Sequence, residues 1–380
     1  MLFRSLRKQG HQVTIFEASQ FSQEIGAAVH IAPNANGVLK KLSVDIAAAG
    51  ANKFERLSEY NSAGDLLRSV DLNESNKIWQ HDWLLAHRVQ LHESLKRAAT
   101  SVVGEGPPAK LVTRSKVVQV DPVEGSLVLQ DGTVERGDVV IGADGVHSKS
   151  RNAVPGCECK AFASGKSAFR FMIPTATAKA HPLVAKLLQH EGELIIWYHE
   201  DRRVVVYPTS HNTLLNFVCI HPENESKAGE SWTTDASQDL LRQVYKTFPE
   251  ECLALISMAD PATVKSWKLL DMRVLPTFVH ERLALIGDAA HPFLPHQGQG
   301  AGVSIEDAVS LSVFLERGLS RKEIPERLKL YQEARYERAC KIQEYSRLAG
   351  RDIAPGEASS FDSEKPKFTY IIANEADILQ

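Results

Sequence analysis

Leu285-Ile-Gly-Asp-Ala-Ala-His-Pro-Phe-Leu-Pro-His-Gln-Gly-Gln-Gly-Ala-Gly302 decides the reading of this chain. A short apolar strand, Arg282-Leu-Ala-Leu-Ile286, runs into Gly287-Asp288. A proline-bounded loop follows, and alternating glycines at 298, 300 and 302 open a helix expected over 303–316. A helix whose first turn carries no large side chain presents bare N–H groups and the positive end of its dipole. Such a terminus suits a group that becomes anionic, and Asp288 at the strand end is placed to accept a hydrogen bond from a hydroxyl.

Upstream, Gly137-Asp-Val-Val-Ile-Gly-Ala-Asp-Gly-Val-His-Ser-Lys-Ser-Arg151 repeats the theme of a strand emptying into a turn. Val139-Val-Ile141 is a buried run of the parallel-sheet kind. Asp144 in Gly142-Ala-Asp-Gly145 is open to two readings, a cofactor acceptor or the N-cap of the following turn. At the N-terminus, residues 1–10 read as a helix tail closed by Gly10, and His11–Glu17 as a strand. Glu17 then stands where dinucleotide-binding folds place an acid against a ribose hydroxyl, though a surface glutamate after a strand looks the same. The glycine-rich loop that such an acid follows by about 20 residues is expected to fall before Met1.

Between these segments lie the small-residue loop Gly26-Ala27-Ala28, a helix at 34–42, a hairpin over 54–72 and a helix ending near Ala99. Strands are expected at 111–120 and 126–130. Segments 168–173, 194–198, 203–207 and 214–220 read as an antiparallel sheet, followed by helices at 235–247 and 322–348. Residues 351–380 read as a tail.

Taken together, Gly142–Gly145 and Gly287–Gly302, in this order and spacing, resemble the DG and GD motifs of the class A FAD-dependent monooxygenases. These are the aromatic-ring hydroxylases, and the salicylate-hydroxylase-like branch of fungal type is the nearest likeness. Trp83-Leu-Leu-Ala-His-Arg-Val-Gln-Leu91 resembles the family segment whose arginine contacts FAD, which falls on Arg88. The resemblance implies an α/β fold with a Rossmann-like FAD-binding domain, N-terminally incomplete, from 1–53, 84–160 and 272–350. It implies a substrate domain with a mainly antiparallel sheet from 54–83 and 161–271. It assigns cofactor contacts to Glu17, Gly26, Ala27, Ala28, Arg88, Asp144, Gly145, Gly287, Asp288, Pro295, Gly298, Gly300, Ala301 and Gly302. The anionic group at the glycine helix is then the N1–C2=O edge of a reduced flavin.

The same resemblance implies that NAD(P)H reduces FAD and that O2, added at flavin C4a, hydroxylates an aromatic or polyketide-like phenol, in secondary metabolism or aromatic catabolism. The cofactor carries such chemistry, and the protein supplies position and charge. A cation near the phenol oxygen favours the phenolate. Arg170, which interrupts the apolar run Ala168–Ile173, is the candidate; an edge-strand arginine facing solvent is the alternative. Tyr207 is the candidate over the substrate cavity, with Tyr198 in reserve, and a core tyrosine is the alternative for each. His291 and His296 are read as loop structure. A chain that keeps the fold without holding flavin is the competing function.

Composition excludes other classes. The 380 residues are 43% apolar and 24% charged, with a net charge of −3 and no basic block, which argues against nucleic-acid binding. No apolar run nears the roughly 20 residues that span a bilayer. Five cysteines give neither a disulfide framework nor, with Cys157 and Cys159 alone as C-x-C, a zinc site. No G-x-S-x-G or H-E-x-x-H occurs, so hydrolase and metalloprotease chemistry drop out. A cytoplasmic, metal-free enzyme is the expectation.

Overall fold

The computed structural model describes residues 2–20, 27–226, 233–235 and 237–353. The N-terminal helix, Leu2–Lys8, is pinned from its inner face by the fully buried Arg7. The Arg7 guanidinium donates to the carbonyls of Ala99 (3.1 Å), Ser101 (2.7 Å) and Gly106 (2.9 Å), and so caps the C-terminus of the helix Arg88–Thr100. A cation there meets carbonyls that have no partner within the helix and the negative end of its dipole.

Thr14–Phe16 pairs in parallel with Lys110–Val112, and Val140–Gly142 pairs in parallel with Leu283–Leu285. The single strand expected over 111–120 is two strands, Lys110–Val112 and Val117–Asp121, in different sheets. Arg114 turns the chain with φ of 56°, and Arg114 N and Ser115 N donate back to the carbonyls of Ser19 and Glu17. Helices Gly300–Phe314 and Ile324–Ala349 close over the second parallel pair, burying Leu283, Leu285, Val303, Leu311, Leu328 and Tyr331 in one core. The first of these begins at Gly300, three residues ahead of the sequence reading.

The middle of the chain builds an eight-stranded sheet, larger than the four strands expected. Its order is Thr233–Asp235, Lys265–Asp271, Phe162–Pro174, Leu214–Pro222, Arg203–Thr209, Glu193–Tyr198, Arg56–Asn61, Leu66–Asp71. All neighbours are antiparallel except Glu193–Tyr198 and Arg56–Asn61, which run parallel. The hairpin expected over 54–72 thus forms this sheet's edge. Strand alternation sorts the two faces. Phe169, Phe171, Trp197, Val204, Val206 and Phe217 pack on a helical layer through Leu241, Tyr245, Leu255 and Ile256. The cross-strand pair Phe171 and Phe217 stacks at 4.6 Å. That layer's helix expected over 235–247 is Gln238–Val244, capped by Ser237 Oγ, with a second helix at Glu250–Ser257. The opposite face carries Leu57, Ile196, Val205, Tyr207, Val218 and Ile220 and looks toward the parallel strands. No helix among the described residues is long and apolar enough to cross a membrane.

Candidate active site

The two parallel strands end side by side, and their turns are built to fit closely. A Cβ on Gly142 would stand 2.6 Å from Ser150 Cβ and 2.8 Å from Leu285 Cδ2, so only glycine lets the turn approach its neighbours. Asp144 accepts from Lys149 N (2.7 Å), Ser150 N (2.9 Å) and Ser148 Oγ (2.6 Å). Its carboxylate therefore holds its own turn together, the capping alternative of the two sequence readings. The buried Arg151 ties that turn to the next. Its Nη2 donates to Val146 O at 3.2 Å and Asp288 O at 3.1 Å, and its Nε to Ala289 O at 2.9 Å. Burial lowers the Arg151 pKa, an effect opposed by Cys159, Asp144 and other neighbouring groups.

The Gly287-Asp288 turn is also held from behind by buried charge. Asp307 Oδ2 accepts from Gly287 N at 3.0 Å and contacts His291 Nε2 at 2.6 Å, and Asp307 Oδ1 accepts from Arg335 Nε at 2.9 Å. Glu306 beside it accepts from Arg335 (2.7 Å), from Arg338 (2.8 and 2.9 Å) and from Asn34. Burial alone would raise both carboxyls; His291 and Arg335 overcome it at Asp307, and Arg335 and Arg338 at Glu306, so both end below the ordinary range. The loop reading of His291 accords with this, since its Nε2 is used within the protein.

In front of these turns lies a cavity of about 670 Å³. The loop side is Ala143, Gly145, Gly287, Asp288, Pro292–Gly300 and Ala301, with Ala28, His30 and Arg88 beside it. The helix at Gly300 starts without a side-chain cap on its N-terminus. Asp288 is open to the cavity, and desolvation by the surrounding protein raises its pKa against the pull of His291, Arg88 and Arg151. Gly145 (φ 76°) has open space where a Cβ would sit. Gly298 (φ 64°) lies so close to His30 that a Cβ would meet its ring at 2.8 Å.

The sheet side is the apolar face described above, and it carries Arg170. Its Nε has no hydrogen-bond partner, and its guanidinium carbon lies 5.8 Å from the Trp267 ring centroid. Burial lowers the Arg170 pKa. Arg203, a second cation on this face, is engaged: its two Nη atoms donate to Ala349 O (2.8 Å) and Arg351 O (3.1 Å). Tyr198 donates to Glu59 at 3.0 Å. Tyr207 donates to Ala28 O at 3.0 Å, while Asn216 Oδ1 accepts from Ala28 N at 2.9 Å. The Tyr207 hydroxyl therefore positions the small-residue loop; its burial raises its pKa.

Arg170, Tyr207, Ala28, Arg88, Gly145, Gly287, Asp288, Pro295, Gly298, Gly300 and Ala301 thus converge on one cavity. Glu17, Ala27, Asp144 and Gly302 do not line it. Glu17 accepts from Ser19 N at 2.7 Å, and Ala27 O from Arg88 N at 2.8 Å. Gly26 lies outside the described residues. The sequence reading passed over His30, whose half-buried ring stands edge-on to Tyr207 at 4.8 Å and whose Nδ1 has no partner. Burial drops its pKa to about 4, so the imidazole is neutral. One signal was available: a lone polar residue in the small, apolar strand Ala28–Ile31.

Comparison with known proteins decides what this cavity belongs to. Residues 121–346 match the family described as FAD binding domain. A monooxygenase of Aspergillus candidus, the FAD-dependent monooxygenase cfoG, is 33% identical over 356 residues, covering 90% of this chain and 81% of its own. The chain belongs to the FAD-dependent aromatic-ring monooxygenases. Hispidin-3-hydroxylase of Neonothopanus nambi is 29% identical over 350 residues, covering 88% of this chain and 82% of that protein. The solved structure of a salicylate hydroxylase substrate complex superposes with a TM-score of 0.75 at 25% identity, covering 92% and 84% of the two chains. FAD is the cofactor of these monooxygenases, and the residues present suit it. Asp288 offers a carboxylate to a polyol, Arg88 offers a cation, and the uncapped helix at Gly300 offers N–H groups to an oxygen that gains charge on reduction.

Proposed function

We propose that this monooxygenase uses NAD(P)H and O2 to hydroxylate a phenolic small molecule bound against Arg170. FAD, when bound, takes two electrons from NAD(P)H and activates O2. One oxygen atom enters the ring and the other leaves as water. The protein's part is to hold the reacting groups. Arg170, without a partner at Nε, offers its charge to an ionised ring oxygen, and the phenolate is the better nucleophile toward an electrophilic oxygen. The neutral His30 lines the same cavity and can accept a hydrogen bond from a ring hydroxyl without taking its proton. Asp288, Arg88 and the start of the helix at Gly300 orient the cofactor, and the apolar sheet face excludes water from the reaction. In this reading 1–53, 84–160 and 272–350 hold FAD while 54–83 and 161–271 hold substrate; the support is that Arg56–Asn61 and Leu66–Asp71 complete the sheet begun at Phe162.

The observation that carries the proposal is the half-buried guanidinium of Arg170, unpartnered at Nε, lining one cavity with the Gly287–Ala301 loop. The test is NAD(P)H oxidation by the FAD-loaded protein against a panel of phenols, with product analysis for one added oxygen atom. Stimulated oxidation with hydroxylated product supports it. Protein that takes up no FAD, or oxidation that yields only hydrogen peroxide with every phenol, refutes it.

A further inference from the structure

The sheet register orders the cavity floor. Arg170 is paired across the strands with Val218, Val218 with Val205, and Val205 with Ile196. Residues in such a row point to the same face, and neighbouring strands lie about 4.8 Å apart, so the row runs about 14 Å from Arg170 to Ile196. Beyond Ile196 the row continues with Glu59, whose buried carboxylate receives the Tyr198 hydroxyl, and then with Arg68 on the edge strand.

Exposure along these strands shows where the floor is open. Ile195, Val204 and Val206, which face the helical layer, are at most 1% exposed. Ile196 and Val205, on the cavity face, are only half-buried. Their apolar surface stays in contact with solvent until something covers it. From the opposite loop Leu294 packs against the cluster of Ala168, Val218, Ile220 and Leu269 at the Arg170 end of the floor. A one-ring phenol at Arg170 covers the first step of the row and leaves Val205 and Ile196 bare.

We propose that the substrate is an extended phenol of at least two rings, its acidic oxygen at Arg170 and its distal ring over Val205 and Ile196. This rests on the monooxygenase reading above and names the substrate class within it. A cation at one end and an apolar bar of fixed length select a ligand by charge and by reach. Burying a further aromatic ring on the bar converts into affinity, because apolar area removed from water is the main favourable contribution.

The test compares resorcinol with its 5-(4-hydroxystyryl) derivative, which share one head group, by titration of the FAD-loaded protein and the accompanying change in flavin absorbance. The two-ring compound is expected to bind at least about 30-fold more tightly. Ile196→Trp, whose extra volume projects into the cavity, is expected to reduce that preference to within about threefold while resorcinol affinity is retained. Val205→Phe provides the same readout should Ile196→Trp fold poorly. Arg170→Met is expected to weaken both ligands. Equal affinity of the two compounds for the wild-type protein, or a preference that survives the filled floor, overturns the proposal. If both bind equally and stimulate NAD(P)H oxidation, the substrate class falls and the monooxygenase reading stands. If neither binds nor stimulates, both fall.

Discussion

Glu306→Gln removes one negative charge from a site that has no water to replace it. Glu306 is 0% exposed, and its partners Arg335 and Arg338 are 3% and 8% exposed at the side chain. Three guanidinium N–H groups end on this carboxylate, and the Asn34 amide also donates to it. Glutamine matches the shape but turns an NH2 group toward one guanidinium and removes the carboxylate charge that Arg335 and Arg338 share. Stripping one partner from a buried charge cluster costs about 3–5 kcal/mol. For a chain of this length, at about 2 °C per kcal/mol, the melting temperature falls by roughly 6–10 °C. Urea denaturation and a thermal melt at pH 7 measure both quantities. Glu326→Gln, which breaks the exposed pair with Lys329, serves as the reference and is expected to move the melt by less than about 1 °C. A loss below about 1 kcal/mol for Glu306→Gln would show that Arg335 and Arg338 find other acceptors and that the cluster does not brace the Gly287 turn.

Three further outcomes follow from the same geometry. Asp288→Asn is expected to weaken FAD retention in a desalting assay. His221, buried against Phe169 with its pKa lowered from 6.5 to about 4, is neutral in the fold and protonates more readily once unfolded. Stability from this group is intact above pH 6.5 and is lost as pH falls toward 4, by about 2 kcal/mol at pH 5, and His221→Phe should remove that part of the acid slope in pH-dependent urea titrations. Gly298→Ala puts a Cβ 2.8 Å from His30 at a φ of 64°, so flavin titration should show weaker FAD binding with a displaced loop; unchanged affinity would mean the loop shifts freely.

The loop side of the cavity was legible because its signals are local. Gly287-Asp288, Gly298 and Gly300 sit within fourteen residues of one another, and each glycine answers a backbone need that sequence displays directly. Arg170 was legible for a similar reason, as a charge breaking an apolar strand. The floor was not, because register is set by pairing between strands far apart in sequence. Nothing near Ile196 announces that Val205, Val218 and Arg170 continue its row. The strand Lys265–Asp271 escaped notice since its burial does not alternate cleanly. Arg151 and Arg7 look like ordinary surface arginines in sequence; both are buried by backbone carbonyls, which carry no side-chain signature. Asp144 and Tyr207 were singled out by type, and the structure spends both on holding backbone.

The clamp on Ala28 has an engineering consequence. Its N–H and its carbonyl are both held by side chains of the substrate sheet, Asn216 and Tyr207, which face one another across adjacent strands. The Ala28 peptide, beside the cofactor in the reading proposed above, is thus fastened to the sheet that forms the cavity floor. Redesign of the pocket divides accordingly. Positions 196 and 205, half-buried on the cavity face, are the ones to vary for a new substrate, whereas a library that randomises 207 or 216 loosens the Ala28 peptide with every member, and its selection for a new substrate becomes, in the same step, a selection on that loop.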